Sequence, residues 1–154
     1  MARLPLQILV FPFRRKAEKE FEFAVFKRRD EGYWQVIAGG GEDNESPIEA
    51  ARRESFEEAG IPGGSIFYRL DTFSTVPVYH FAARQHWAEN LYVIPQYFFA
   101  VDTTGHEVVI SKEHTSFKWE TYEKTRDILF WETNKIALWE LHERLLKNDL
   151  LPFE

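Results

Sequence analysis

The sequence predicts an α/β fold in which helices pack on a β-sheet to form a sandwich. Residues 20–29 alternate apolar and polar side chains, and residues 91–101 are rich in β-forming residues, so both are expected to be strands. The segment Pro47–Ala59 carries helix signals at both ends, and residues 131–147 carry one apolar stripe. Strands combined with two flanking helical regions fit an α/β sandwich.

The first third of the chain is expected to contain three strands and two turns. Residues 4–13 are rich in β-formers, and the charged residues 14–19 are expected to turn the chain into a half-buried strand at 20–29. The residues Asp30-Glu31-Gly32 predict a second turn. Residues 33–38 are expected to form a short buried strand that leads into a glycine-rich loop at residues 39–41.

The helix Pro47–Ala59, here called the acidic helix, is delimited by its own sequence. Ser46 is a suitable N-cap, Pro47 suits the first helical turn, and Glu49 lies where a capping box requires it. Gly60 follows the last helical residue, where a left-handed cap would end the helix. The boundaries of this helix are therefore predicted from both ends.

The rest of the chain predicts further strands and two helices. Strands are expected at residues 65–75, 91–101, 106–110 and 117–120, the last of these being the final strand, and Pro95 marks a bulge or an edge. Residues 121–129 predict a weak helix. The helix at 131–147 is expected to face the core with Ala137, Leu138, Leu141 and Leu145.

Composition excludes several classes of protein. The 154 residues suggest one domain, 1–154, long enough to bury a substantial core. The formal net charge of −6 and the lack of a long basic run argue against nucleic-acid binding, and the absence of cysteine excludes thiol catalysis and zinc-thiolate sites. No apolar run is long enough to span a membrane, so a cytoplasmic protein is expected. The oligomeric state is left open.

Three carboxylates cluster on one side of the acidic helix. At about 100° per residue, Glu54, Glu57 and Glu58 fall within an arc of roughly 100°, whereas Phe56 and Ala59 lie on the side expected to pack on the core. Like charges at this spacing destabilise a helix, and negative charge near its carboxyl end is disfavoured by the helix dipole. A hard divalent cation, Mg²⁺ or Mn²⁺, would offset both penalties.

The simpler interpretation is a solvated acidic face whose salt-bridge partners are Arg52 and Arg53. Two features favour a metal site instead: the triple glycine ahead of the helix, and Glu45, which lies between the glycines and the helix. The Gly39 carbonyl is a plausible additional ligand, because the glycines allow the backbone to approach an ion closely.

This segment resembles the signature of the Nudix hydrolase family. That signature is a glycine, five residues, Glu, seven residues and then Arg-Glu-apolar-x-Glu-Glu-x-Gly-apolar, which correspond here to Gly39, Glu45 and the run from Arg53 to Ile61. Ser55 stands where the family usually has an aliphatic residue, and Ala38 replaces a common proline. Neither departure removes a catalytic group.

The resemblance implies a fold, an activity and a set of roles. The fold would be an α/β/α sandwich with a mixed sheet, and the activity would be hydrolysis of a nucleoside diphosphate linked to another group. Glu54, Glu57 and Glu58 would hold Mg²⁺, and Arg53 would orient a helix carboxylate. Any helix glutamate that is not committed to metal could then serve as the general base.

Four shorter matches resemble the bacterial branch that contains dATP pyrophosphohydrolase and dihydroneopterin triphosphate pyrophosphatase. They are Arg28-Arg29-Asp30, Tyr33-Trp34-Gln35, Glu113-His114 with Phe117-Lys118-Trp119, and Trp131 with Asn134. This branch implies that Glu113 is a metal ligand or the general base, although a surface glutamate is the simpler interpretation.

The expected substrate is a small nucleotide or pterin triphosphate, which would be cleaved to a monophosphate and pyrophosphate. Arg28, Trp34, Gly40 and Gly41 are the candidate substrate-binding residues, since they offer a cation, a ring for stacking and an accessible backbone. Other Nudix substrates remain alternatives, namely ADP-ribose, a dinucleoside polyphosphate or an oxidised nucleotide. A nucleotide-sensing module without turnover is a further alternative.

Overall fold

The computed structural model describes residues 2–153, which form an eight-stranded mixed sheet with three α-helices. The strands are β1 (Arg3–Ala17), β2 (Glu20–Arg28), β3 (Trp34–Gln35), β4 (Ile37–Glu42), β5 (Phe67–Pro77), β6 (Val93–Asp102), β7 (His114–Glu120) and β8 (Leu151–Phe153). The helices are α1 (Pro47–Ala59), α2 (Tyr122–Ile128) and α3 (Glu132–Lys147).

The strands follow the order β3-β2-β1-β6-β5-β8, with β4 paired to β1 and β7 paired to β2. The pair β1–β6 is parallel and the other strand pairs are antiparallel, so the sheet is mixed as expected. The first half of β1 pairs with β4 and its second half with β2. The glycines of β4 therefore lie at the end of the sheet where β1 begins.

Two apolar layers cover the sheet. One lies under α3 and includes Leu9, Phe23 and Leu138, and the other lies under α1 and includes Val10 and Phe26. Residues that alternate along β1 and β2 enter opposite layers, as the pleat of a strand requires. The expected α/β sandwich is confirmed, and so is the apolar stripe of α3, whose four predicted residues are all buried.

Two expectations for the first hairpin are wrong. Residues 14–17 continue β1 rather than turning, because Arg14 pairs across the ladder with Glu22 and its Nη2 lies 2.7 Å from the Glu22 Oε1. The turn is confined to Glu18 and Lys19. Strand β2 is buried on both faces over residues 23–26 rather than half-buried, because α1 and α3 cover opposite sides of the sheet.

The glycines lie in a strand rather than in the expected loop. Gly39 pairs with Ile8 and Gly40 pairs with Gln7 across β1 and β4. The true loop is residues 43–46, between β4 and α1. Because successive residues of a strand present opposite sides, the pairing with β1 decides which side chains pack against each glycine.

The expected strand at residues 106–110 is absent from the described structure. This stretch instead runs beside the carboxyl end of α1, where the Val109 N–H donates to the Ala59 carbonyl and the Ser111 N–H donates to the Glu58 carbonyl. Its hydrogen bonds therefore satisfy helix carbonyls that have no partner within the helix.

Strand β7 is not the final strand, because β8 pairs with the outer side of β5. Pro95 pairs with Thr75 of β5, and the pairing of β6 with β1 begins only at Gln96, so the proline lies where β6 has one neighbour. Two 3₁₀-helices, Val78–His80 and Ala82–His86, lie between β5 and β6. Within residues 2–153 no helix is long and apolar enough to cross a membrane.

Candidate active site

The acidic helix α1 begins and ends where the sequence predicts. The Glu49 N–H donates to the Ser46 side chain and the Ser46 N–H donates to Glu49 Oε1 at 2.9 Å, which completes the capping box. Gly60 has φ of 67°, and its N–H donates to the Phe56 carbonyl at 2.9 Å. These local bonds fix the length of the helix independently of the sheet.

The side of α1 that faces the sheet differs in part from the expected one, since Ala59 is buried there as expected but Phe56 is not. Phe56 is 63% exposed, whereas Glu58 is only 2% exposed and Ser55 is fully buried. The buried positions otherwise carry alanine at 50, 51 and 59, which lets the helix lie close to the sheet. The expectation that Phe56 packs on the core is therefore wrong, and a carboxylate enters the interior instead.

Arg53 connects the carboxylates of the loop and the helix. Its guanidinium donates to Glu45 at 2.7 Å, to Glu54 at 2.9 Å and to Glu57 at 3.0 Å. It also lies 2.8 Å from a Glu42 oxygen and donates to the Gly40 carbonyl at 2.8 Å. One side chain thus offsets the repulsion among four glutamates and attaches the helix to the glycine strand β4.

The carboxylate of Glu54 lies directly against Gly39. A Cβ placed on Gly39 would be 2.3 Å from the Glu54 carboxyl carbon, so no other residue fits at position 39 without displacing that carboxylate. A Cβ placed on Gly40 would in turn lie 2.2 Å from the Nε of the Arg3 guanidinium. Because Gly39 and Gly40 have no side chains, the Glu54 carboxylate packs against one side of β4 and the Arg3 guanidinium packs against the other.

Glu58 is buried beside His114 on the inner side of α1. Its Oε1 lies 3.5 Å from the His114 Nε2, and no N–H or O–H group of the described residues donates to either Glu58 oxygen. The Glu54 carboxyl lies within hydrogen-bond reach of Glu58, and that bond requires one of the two acids to carry a proton. Burial, together with the neighbouring Glu54 and Glu113, raises the pKa of Glu58 to about 10. Burial and the charge of Arg28 lower the pKa of His114 to about 4. Both shifts disfavour the charged forms, so burial opposes an ion pair between Glu58 and His114.

Glu113 and Arg28 lie near this buried pair. Glu113 is exposed, and it lies in the segment whose Ser111 N–H bonds to the carbonyl of Glu58. Its charge is close enough to raise the pKa of Glu58, and that of Arg28 is close enough to lower it. Arg28 is partly buried and also pairs with Asp30 at 3.2 Å.

The two remaining candidates lie farther from the carboxylates. Trp34 packs against the core layer under α3, on the face of the sheet opposite to α1, and the Lys118 ammonium lies 4.6 Å from its ring centre. Gly41 is contacted by the side chains of Leu4 and Leu6. Neither residue lies beside Glu58.

The site could hold a divalent ion, although its ligands are not yet arranged around one. Within residues 2–153 no three His, Asp or Glu side chains converge as a ready ligand set, because Arg53 holds Glu54 and Glu57. No donor of the described residues bonds to the two buried Glu58 oxygens, and the missing side chain of Gly39 makes room for the Glu54 carboxylate. A set of carboxylate and carbonyl oxygens suits Mg²⁺ or Mn²⁺.

Sequence reasoning missed His114 and Arg3 as neighbours of the site. His114 lies in a polar stretch that gives no sign of burial, and Arg3 precedes the first strand that was predicted. A cavity of about 400 Å³ lies elsewhere, between the first turn of α1 and strands β5 and β6, and none of the three helix carboxylates lines it. A cleft of about 320 Å³ is bordered by Glu42, Glu45 and Arg53.

A sequence model of the NUDIX domain matches residues 4–140. The fold is similar to that of a protein from Listeria monocytogenes assigned as a Nudix hydrolase, with 40% sequence identity, a TM-score of 0.87 and coverage of 97% of this chain and 100% of the other. It is also similar to the Escherichia coli dihydroneopterin triphosphate pyrophosphohydrolase (21% identity, TM-score 0.74, 96% and 99% covered). A third similar structure is the Caenorhabditis elegans Ap4A hydrolase (19% identity, TM-score 0.70, 94% and 99% covered).

Proposed function

Because this chain belongs to the Nudix family, whose members hydrolyse pyrophosphate bonds in nucleoside diphosphate derivatives, we propose that it cleaves a nucleoside triphosphate similar to dATP, or dihydroneopterin triphosphate. The products are the corresponding monophosphate and pyrophosphate. The reaction requires Mg²⁺, for which Mn²⁺ can substitute.

One observation carries this proposal: the buried carboxyl of Glu58 receives no hydrogen bond from an N–H or O–H donor in the described part of the chain and lies against a second acid, Glu54, at the glycine strand. A buried acid without a partner costs free energy, and a bound cation would remove that cost. Glu54, Glu57, Glu58 and the Gly39 carbonyl are the proposed ligands, and Glu113 would be either a further ligand or the general base.

A bound Mg²⁺ would neutralise phosphate charge and promote deprotonation of the attacking water. Arg53 holds Glu54 and Glu57 in place, and a bound ion would compete with it for their oxygens. As the general base, Glu113 would draw the proton from the attacking water, because its carboxylate is exposed and its charge acts on Glu58. Arg28 and Gly40 would contact the phosphates. For Gly41, which Leu4 and Leu6 contact, and Trp34, which lies on the opposite face of the sheet, substrate binding stays a prediction from the sequence.

Support for a triphosphate comes from the four short sequence matches described above and from the likeness to the Escherichia coli pyrophosphohydrolase. The name of that enzyme gives its substrate as dihydroneopterin triphosphate. Like a purine nucleoside triphosphate, this compound combines a fused nitrogen-containing ring system with a chain of three phosphates. A small ring attached to three phosphates is therefore the proposed substrate class.

A substrate screen tests the proposal. The purified protein would be incubated with Mg²⁺ and, separately, with dATP, dihydroneopterin triphosphate, ADP-ribose and Ap4A, and pyrophosphate would be resolved from orthophosphate. The Glu58→Gln variant controls for contaminating phosphatases. Pyrophosphate release from a triphosphate that depends on both Mg²⁺ and Glu58 supports the proposal. Preferential hydrolysis of ADP-ribose or Ap4A, or no turnover at all, contradicts it.

A further inference from the structure

Arg3, the first residue of β1, lies in a polar patch on the face of the sheet opposite to α1. Its Nη2 donates to the Gln7 Oε1 at 2.6 Å, Gln7 lies beside Gln96 in the β1–β6 ladder, and the Gln96 Nε2 donates to the Ser74 Oγ at 2.9 Å. Farther along the same face, the core under α3 consists of apolar residues such as Leu9 and Phe98. Polar side chains therefore replace the core at the end of the sheet that holds the glycines.

The segment between β5 and β6 holds Arg3 in one orientation. The Arg3 guanidinium carbon lies 4.8 Å from the ring centre of Phe81, and the Trp87 indole N–H donates to the Arg3 carbonyl at 3.0 Å. Gly40 lies close to the guanidinium as well, which restricts its movement. A cation that is fixed in this way needs little ordering when it binds a ligand.

Arg3 also lacks the partner that neighbouring arginines have. Arg53 pairs with several glutamates and Arg28 pairs with Asp30, whereas no carboxylate forms an ion pair with Arg3 within the described residues. Its Nε is buried and has no hydrogen-bond partner there. A guanidinium is charged at any physiological pH, so its unused donors are suited to an anion.

The position of Arg3 links it to the proposed reaction centre. Glu54 and Arg3 approach the adjacent glycines 39 and 40 from the two sides of β4, and only backbone separates them. The charge of Glu54 still acts on Arg3, where it opposes the effect of burial on the pKa of the guanidinium. A phosphate chain that runs along the edge of β4 would therefore pass close to both Arg3 and Glu54.

We propose that Arg3 binds a phosphate group of the substrate, and that Phe81 and Trp87 hold it in the orientation required. This inference rests on the proposed function, because it assumes that a phosphate chain lies along the glycine strand. A planar guanidinium can donate two parallel hydrogen bonds to phosphate, which an ammonium group cannot reproduce. Arg3 is therefore a substrate-binding residue rather than a catalytic one.

The experiment compares Arg3→Gln and Arg3→Lys with a matched control, Arg15→Gln. Arg15 lies on the same strand and stacks on Phe21 with its guanidinium carbon 4.6 Å from the ring centre, but it is distant from the glycines. Steady-state kinetics with dATP and Mg²⁺ give kcat and KM for each protein. Thermal denaturation shows whether each variant is folded and whether inorganic tripolyphosphate or deoxyadenosine raises its Tm.

Arg3→Gln is expected to raise KM for dATP by about 10- to 100-fold, as loss of a charged hydrogen bond would, with a smaller change in kcat. Arg3→Lys should recover only part of this loss, and Arg15→Gln should match the wild type. Trp87→Phe should raise KM by a smaller factor, because it removes only the bond that holds the Arg3 backbone and leaves the contact between the guanidinium and Phe81. Tripolyphosphate should raise the Tm of the wild type more than that of Arg3→Gln, and deoxyadenosine should not distinguish them.

Unchanged KM in a folded Arg3→Gln protein, or equal effects of tripolyphosphate on both proteins, would overturn the inference while the proposed function stands. If deoxyadenosine distinguishes the two proteins and tripolyphosphate does not, Arg3 binds the ring and the inference is wrong. If the wild type hydrolyses no triphosphate, the proposed function fails, and the tripolyphosphate comparison still decides whether Arg3 binds phosphate.

Discussion

Ser55 offers a sharp test of how the acidic helix packs, because the family usually has an aliphatic residue at this position. Its side chain is fully buried under α1, and its hydroxyl has no hydrogen-bond partner within the described residues. We predict that Ser55→Ala stabilises the protein and leaves its turnover unchanged. The reason is that the buried hydroxyl loses its hydrogen bonds with water on folding and gains none from residues 2–153.

The magnitude follows from three terms. An unsatisfied buried hydroxyl costs about 1–3 kcal/mol, and alanine gains roughly 0.5 kcal/mol over serine in a helix interior. The void left by one oxygen atom offsets part of this gain, so a net stabilisation of about 1–2 kcal/mol is expected. For a chain of 154 residues this corresponds to a rise in Tm of about 2–8 °C.

Chemical and thermal denaturation would measure this change, with Ser46→Ala as the matched control on the same helix. Ser46 caps the helix through its bonds with Glu49, so its loss should cost about 1 kcal/mol, which is opposite in sign. A Ser55→Ala protein that is less stable than wild type, or folded but much slower, would refute the reasoning. It would show that the hydroxyl has a bound partner or contacts the reacting groups.

Three further predictions concern glutamates in different environments. Glu57→Gln and Glu58→Gln should each lower Mg²⁺-dependent turnover by orders of magnitude while circular dichroism shows an intact fold, and near-normal turnover would contradict the metal site. Glu113→Gln should lower kcat by about 10²–10⁴-fold with little change in KM, whereas an unchanged kcat would make Glu113 a surface residue. Burial raises the pKa of Glu140, but bonds from Thr72 and its neighbours outweigh this and leave the pKa lowered. The ionised Glu140 therefore stabilises the fold at pH values above the ordinary pKa of a glutamate, and this stabilisation is lost as the pH falls through the lowered pKa. Measured by urea denaturation, the free energy of unfolding of Glu140→Gln should fall less steeply at acid pH than that of the wild type. An equal acid dependence in both proteins would contradict this.

The sequence by itself determined the features that depend on neighbouring residues. The bounds of α1 follow from Ser46, Glu49 and Gly60, because capping bonds join groups only a few residues apart. The spacing of Glu54, Glu57 and Glu58 likewise placed them on one side of α1, since the geometry of a helix fixes which residues share a side. The family was recognised from the signature between Gly39 and Ile61.

Only the tertiary structure decided which groups face each other across the site. The sequence placed the glycines in a loop and Phe56 in the core, whereas pairing with β1 makes residues 37–42 a strand and the sheet receives Glu58 instead. The burial of His114 and the position of Arg3 beside Gly40 depend on elements distant in the chain. Strand register and helix orientation are set by the packing of the whole core, which no local pattern encodes.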